Sequence, residues 1–121
     1  MEIIDVVDCR MIGGSLSSAD ESFLNDAAIV LLAGGDVEKG WKSFKAAGLD
    51  ELLVRRYREG ALLVGVSAGA VQLGMLGWEE REAAENFFYS FALVPLIISA
   101  HDGERDWNNL KRPFGFWVRP W

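Results

Sequence analysis

The sequence predicts an α/β fold in which a mostly parallel sheet is covered by helices. Three observations point there. Short strand-like runs alternate along the chain with segments of helical periodicity. Two of those runs, "AIVLLA" (28–33) and "ALLVGV" (61–66), are continuously apolar, the pattern of parallel strands covered on both faces. Each leads straight into small residues, Gly34-Gly35 after the first and Ser67-Ala68-Gly69 after the second, as tight β–α turns require.

The elements follow in order. "EIIDVV" (2–7) predicts a strand. "SSADESFLNDA" (17–27) predicts a helix, with Ser18 or Asp20 placed to cap its free N–H groups. The strand over 28–33 ends in the turn Gly34-Gly35-Asp36. Trp41, Phe44 and Lys45 recur at helical spacing and predict a helix from Val37 to Ala47, which Gly48 breaks. "LDELLVRRYREG" (49–60) predicts the next helix: Asp50 as its cap, Leu52, Leu53 and Tyr57 as its apolar stripe, and Gly60 at the left-handed C-terminal position. The strand over 61–66 follows, then a helix over 68–76. From Gly77 to Ser90 the pattern is mixed, and "WEEREAAENFF" fits either a helix or a long loop over the sheet edge. "LVPLIIS" (93–99) predicts a strand, with Pro95 marking either an edge strand or a late start. "GERDWNNLKR" (103–112) predicts a short helix and "FGFWVRPW" (114–121) an aromatic strand. Residues 1–121 read as a single domain without repeats or low-complexity segments.

Composition narrows the function classes. The chain has 121 residues, enough for one real core. Its 12 Lys and Arg face 18 Asp and Glu, a net charge of −6 that argues against a nucleic-acid or anionic-membrane partner. The longest apolar runs fall far short of a membrane span, and the opening "MEIIDVVDCR" is too acidic for a signal peptide, so a soluble cytoplasmic protein is expected. Cys9 is the only cysteine, which excludes an intrachain disulfide framework and a Cys-rich metal site. No metal or cofactor is called for.

The chemistry centres on Gly65-Val66-Ser67-Ala68-Gly69, a G-x-S-x-G motif between a predicted strand and a predicted helix. A nucleophile held on a strained turn needs neighbours without bulk, and the N–H of the following residue faces the helix N-terminus where an oxyanion develops. Gly35, at the end of the preceding parallel strand, offers a second N–H at the same carboxyl edge. A serine nucleophile also requires a base. His101, the only histidine, follows the predicted strand 93–99, so three strand ends would deliver Gly35, Ser67 and His101 to one rim. A carboxylate should then orient the imidazole. Glu79, Glu80, Glu82 and Glu85 lie between Ser67 and His101, Asp102 adjoins the histidine, and each meets that need.

These residues resemble the peptidase E and cyanophycinase family of serine peptidases, whose fold is similar to class I glutamine amidotransferases. The resemblance rests on "IVLLAGGDVEKGWKSFKAAGLDELLVRRYREGALLVGVSAGAVQLG" followed by "FALVPLIISAH". Gly34, Gly35, Gly60, Gly65, Ser67, Ala68, Gly69, Ala70 and His101 match the family pattern in order and approximate spacing, over about residues 28 to 112. The resemblance implies a three-layer, flavodoxin-like sandwich around a mostly parallel sheet, here incomplete at both ends. It implies a peptidase of short peptides, commonly with an aspartyl residue before the scissile bond. Ser67 would be the nucleophile, His101 the base, Glu82 the orienting acid, and the N–H groups of Gly35 and Ala68 the oxyanion hole. Arg105 falls near a family arginine that meets the acidic substrate side chain, suiting bidentate carboxylate binding.

Departures from the pattern are equally informative. Asp36 stands where asparagine is usual, placing negative charge at a substrate-binding position. Asn108 and Asn109 occupy the region of the family's second arginine. The first strand–helix unit and the C-terminal strands of the family lack counterparts, and an incomplete sheet exposes edges that invite pairing. A fragment, a shortened homologue or an obligate homo-oligomer is therefore expected. The competing reading is a non-catalytic relative that keeps the scaffold as an assembly or binding module. Amidotransferase chemistry would need a cysteine at position 67, and "GG" with "SAGA" fits an α/β-hydrolase esterase less well.

Overall fold

The structure, a computed structural model, describes residues 15–78, 87–101 and 103. The expected strands at 2–7 and 114–121 and the expected helix at 103–112 lie outside the described residues, Gly103 excepted. The described chain runs α1 (Ser18–Asp26), β1 (Ile29–Leu32), α2 (Val37–Ala47), α3 (Leu49–Arg58), β2 (Leu62–Gly65), α4 (Ala68–Leu73), β3 (Leu76–Trp78) and β4 (Phe87–Tyr89). It is an α/β arrangement with a small parallel sheet and helices. β1 and β2 pair in parallel, with Ile29 opposite Leu62 and Leu32 opposite Gly65. One further ladder bond, Val66 N–H to the Leu32 carbonyl at 2.9 Å, carries the pairing to the doorstep of Ser67.

Local chemistry sets the helix ends. The α1 cap is Ser17, one residue before the expected position, and its hydroxyl accepts from Asp20 N–H at 3.1 Å. Asp36 caps α2, its Oδ1 accepting from Lys39 N–H at 2.9 Å. Gly48 (φ 69°) takes the left-handed turn that ends α2 and opens α3 directly, so Asp50 sits inside the first turn of α3 rather than capping it. Gly60 (φ 102°) makes the corresponding turn into β2. Arg56 then pins α1 to α3, donating from Nε to the Leu24 carbonyl at 3.2 Å and from Nη2 to the Ala27 carbonyl at 2.8 Å. Those carbonyls belong to the C-terminal turn of α1, where a guanidinium also complements the helix dipole.

The core lies on one face of the β1–β2 pair. Val30 and Leu32 pack with Leu24, Trp41, Leu49, Leu52, Leu53 and Phe91. Leu53 is fully buried, and Trp41 meets Phe91 edge-on with ring centroids 4.9 Å apart. Tyr57, expected in the α3 stripe, is exposed. The opposite face corrects a larger expectation. The strands alternate rather than being covered twice: Ile29 (59%), Leu31 (61%), Leu62 (57%) and Val64 (38%) are exposed, as is Val66 (52%) beyond them. Side chains two residues apart share a face, and the register places these apolar side chains side by side.

The chain after α4 departs most from expectation. Helix 68–76 stops at Leu73, because Gly74 turns extended (φ −74°, ψ −170°) and Leu76–Trp78 pair antiparallel with Phe87–Tyr89. The mixed stretch 77–90 is thus strand at both ends, and its middle lies outside the described residues. Segment 93–99 is not a strand. Its neighbourhood serves the open end of α4 instead. Phe91, Ala92 and Leu93 N–H donate to the Gln72, Gly74 and Leu73 carbonyls, and Ser90 Oγ donates to the Gly74 carbonyl at 2.8 Å. The last carbonyls of a helix need such partners, and amides spent on them cannot build a ladder.

Candidate active site

The carboxyl ends of β1 and β2 converge because parallel strands in register end together. β2 closes at Gly65, Val66 follows, and Ser67 turns the chain into α4 with φ 55° and ψ −116°. That backbone is strained for a residue with a Cβ, by roughly 1–3 kcal/mol, and persists only where its surroundings impose it. The two glycines of the motif supply that imposition. A Cβ on Gly69 would stand 2.1 Å from the Leu32 carbonyl oxygen, and one on Gly65 would stand 2.6 Å from the Gly69 oxygen and 2.7 Å from Ala70 Cα. Strand, turn and helix therefore touch backbone to backbone, which no other residue permits at either position.

The diglycine turn lies against the serine. A Cβ at Gly34 would meet Ser67 Cβ at 3.3 Å and Ser67 Oγ at 3.7 Å. Gly35 (φ 148°) has open space where a side chain would stand. Among the described residues, the amides of Gly69, Ala70 and Val71 are taken by the Val66 and Ser67 carbonyls, while no backbone partner takes those of Gly35 or Ala68. Asp36 is exposed, and its carboxylate is engaged in capping α2.

His101 reaches this rim from the irregular segment after Pro95, not from a strand end. Met75 N–H donates to the Leu96 carbonyl at 2.8 Å, and Ile97 and Ala100 pack on the cluster of Val37, Ala68, Val71 and Trp78. The segment is thus seated on α4, the helix that Ser67 opens, and His101 (φ 57°) arrives over the turn. Its Nε2 stands 3.0 Å from Ser67 Oγ, hydrogen-bond distance for an O–H donor and a ring-nitrogen acceptor. Ser67 is half-buried and His101 exposed, so the pair faces solvent at the sheet rim.

The rim thus holds a hydroxyl on a strained strand–turn–helix elbow, an imidazole in contact with it and a diglycine turn beside it. A family model described as Peptidase family S51 matches residues 8–111. The chain belongs to peptidase family S51. That is the peptidase E and cyanophycinase family, a family of serine peptidases, which the motifs resemble. Comparison with curated proteins and with solved structures returned no match.

Within this S51 chain, Glu82 and Arg105 lie outside the described residues, as do Glu79, Glu80, Glu85 and Asp102. Two features escaped the sequence reading. Asp36 is a helix cap, which its position directly before Val37, with Glu38 in the first turn, could have signalled. Ser99 Oγ is buried two residues before His101 without a hydrogen-bond partner among the described residues, and its one signal was a polar residue closing an aliphatic run. Among the described residues no group of three His, Cys, Asp or Glu side chains could hold a metal ion, and no helix is long and apolar enough to cross a membrane.

Proposed function

We propose that this chain is a serine peptidase acting on short peptides, with aspartyl dipeptides or cyanophycin-type peptides as its substrate class. The 3.0 Å approach of Ser67 Oγ to His101 Nε2 carries this reading. With the ring proton on Nδ1, Nε2 accepts the hydroxyl proton as Oγ bonds to the scissile carbonyl carbon. The negative charge that moves to the carbonyl oxygen meets the N–H groups of Gly35 and Ala68, donors aimed at charge present only in the transition state. The imidazolium then gives its proton to the amine as the C–N bond breaks. A water, deprotonated by the same ring, releases the acyl group and restores Ser67.

Glu82 is proposed as the carboxylate that orients His101, and Arg105 as the group that pairs with an acidic substrate side chain. Asp36 adds a negative charge at the diglycine turn and tempers the preference. The wider architecture proposed is the class I glutamine amidotransferase-like three-layer sandwich, in a cytoplasmic protein that pairs its open sheet edges as a homo-oligomer.

A fluorophosphonate probe tests the chemistry directly. It should label Ser67 in the folded protein, and Ser67→Ala should abolish labelling and dipeptide hydrolysis. His101→Gln should slow both by roughly 10²–10⁴-fold. A well-folded protein that neither reacts with the probe nor cleaves aspartyl dipeptides is not a peptidase, and the scaffold alone has been kept.

A further inference from the structure

Gln72 and Ser90 are the buried polar residues among the described ones. Ser90 Oγ closes the C-terminal end of α4 on the Gly74 carbonyl. Gln72 reaches the other way. Its Nε2 leaves α4 and donates to the Val37 carbonyl, 3.0 Å away at the start of α2. Burial alone does not call for an amide there, because an apolar side chain of similar size would fill the place with nothing to satisfy. The facing helix also makes room for it. A Cβ on Gly40 would stand 2.8 Å from Gln72 Nε2, and glycine inside a helix is a poorer helix former than any residue but proline.

What the bond fixes is the turn between β1 and α2. At the start of that turn Gly34 lies against Ser67. At its end Val37 is buried, packs with Ala68 and Val71, and takes the Gln72 amide. Gly35 stands between these two points with φ 148° and open space where a side chain would be, so no side-chain contact of its own places it. Two residues of trans backbone span at most about 7 Å, so the Gly35 N–H follows wherever Val37 is held. Ala68 and Gln72 are four positions apart on α4 and share a face of it. One short helix therefore carries a proposed oxyanion donor in its first turn and the anchor for the second donor one turn later.

We propose that Gln72 is a positioning residue for the oxyanion hole. Its amide, seated in the space left by Gly40, ties the start of α2 to α4 and keeps the Gly35 N–H aimed at the oxygen of a Ser67 adduct. This inference rests on the peptidase reading above. Gln72 takes no part in the Ser67–His101 hydrogen bond, so it acts on the charge of the transition state and not on the proton transfer between that pair.

Two substitutions in the full chain test it. Gln72→Met keeps the bulk and removes the donor, whereas Gly40→Ala keeps the amide and displaces it from Val37 while improving the helix propensity of α2. Aspartyl dipeptide hydrolysis and the rate of fluorophosphonate labelling are measured on each, with the labelled fraction at saturation as the count of folded sites. Both variants should label to completion. Each should lose about 10–10²-fold in kcat and in labelling rate, the effect of a donor misplaced by about 1 Å. KM should stay within about two-fold and the pH of half-maximal rate should match the parent, since the base is untouched. The double variant should be no slower than the slower single one, because both act on one contact. A Gln72→Met protein that melts lower yet keeps the parent kcat overturns the proposal, as does a Gly40→Ala protein of parental rate. A loss confined to KM, or a shifted pH profile, overturns it too, by assigning the residue to substrate binding or to His101. If Gln72→Met does not fold, Gly40→Ala decides alone. A folded parent inert to both probe and dipeptide removes the peptidase reading and this inference with it, whereas an active parent with equally active variants removes this inference only.

Discussion

Replacing Gly69 by alanine adds one methyl group at the tightest contact in the elbow. The new Cβ would lie 2.1 Å from the Leu32 carbonyl oxygen and 2.7 Å from Leu32 Cβ. Non-bonded carbon and oxygen rest at roughly 3.3–3.6 Å, so α4 must withdraw from β1 by more than about 1 Å. The same carbonyl accepts the Val66 N–H at 2.9 Å, and that ladder bond is strained by any such withdrawal. Overpacking costs about 1–3 kcal/mol and a lost hydrogen bond about 1 kcal/mol, against up to about 1 kcal/mol returned by the better helix propensity of alanine. The net loss is about 1–4 kcal/mol, read as a fall in Tm of roughly 4–16 °C. A displacement of that size in the Ser67 turn should also cut fluorophosphonate labelling by about 10²-fold. Gly35→Ala is the internal control. Its Cβ meets nothing within 4 Å, so only the backbone cost of φ 148° remains, about 1–2 kcal/mol. A Gly69→Ala protein that melts and reacts like its parent, or a Gly35→Ala protein that suffers more, would refute the close-approach reasoning.

Three further outcomes follow from the geometry. Arg56→Met removes two charged hydrogen bonds from the end of α1, and urea unfolding should show a loss of about 2–4 kcal/mol. Asp36→Ala removes the α2 cap at a cost of about 1 kcal/mol, whereas Asp36→Asn keeps an accepting oxygen and should stay within a few tenths of the parent. Under the peptidase reading, Asp36→Asn should also raise kcat/KM several-fold for acidic over neutral dipeptides. The Glu59 carboxyl is held below its ordinary value, first by the hydrogen bond from Arg56 and then by that from Arg55. Its folded value therefore lies below its unfolded one, so its contribution to stability is complete above the unfolded value and disappears as pH falls through the folded one. NMR titration should show Glu59 ionising at lower pH than a free glutamate, and Arg56→Gln should move it back up.

Legibility followed the range of the interactions involved. The α2 limits could be read from residue spacing and from Gly48, because helix periodicity and a left-handed stop are local properties. G-x-S-x-G could be read as a strained elbow for a similar reason: its glycines lie where strand and helix backbones meet. Segment 93–99 misled because its aliphatic residues have strand composition, yet its place in the fold is decided by the unpaired carbonyls of Gln72, Leu73 and Gly74. Apolar runs at 28–33 and 61–66 misled in another way. Composition reports what a strand can bury, while the alternation of exposed and covered residues depends on what stands on each side.

By itself, then, the sequence determined the α/β alternation, the helix-breaking glycines and the identity of the hydroxyl, imidazole and diglycine that could act together, all consequences of backbone sterics and side-chain chemistry acting over a few residues. Only the tertiary structure decided that Ser67 and His101, 34 positions apart, stand 3.0 Å from each other. That distance arises from the parallel register of β1 and β2 together with the way residues 90–100 seat themselves on α4, and a contact made by packing between distant segments has no local pattern to announce it.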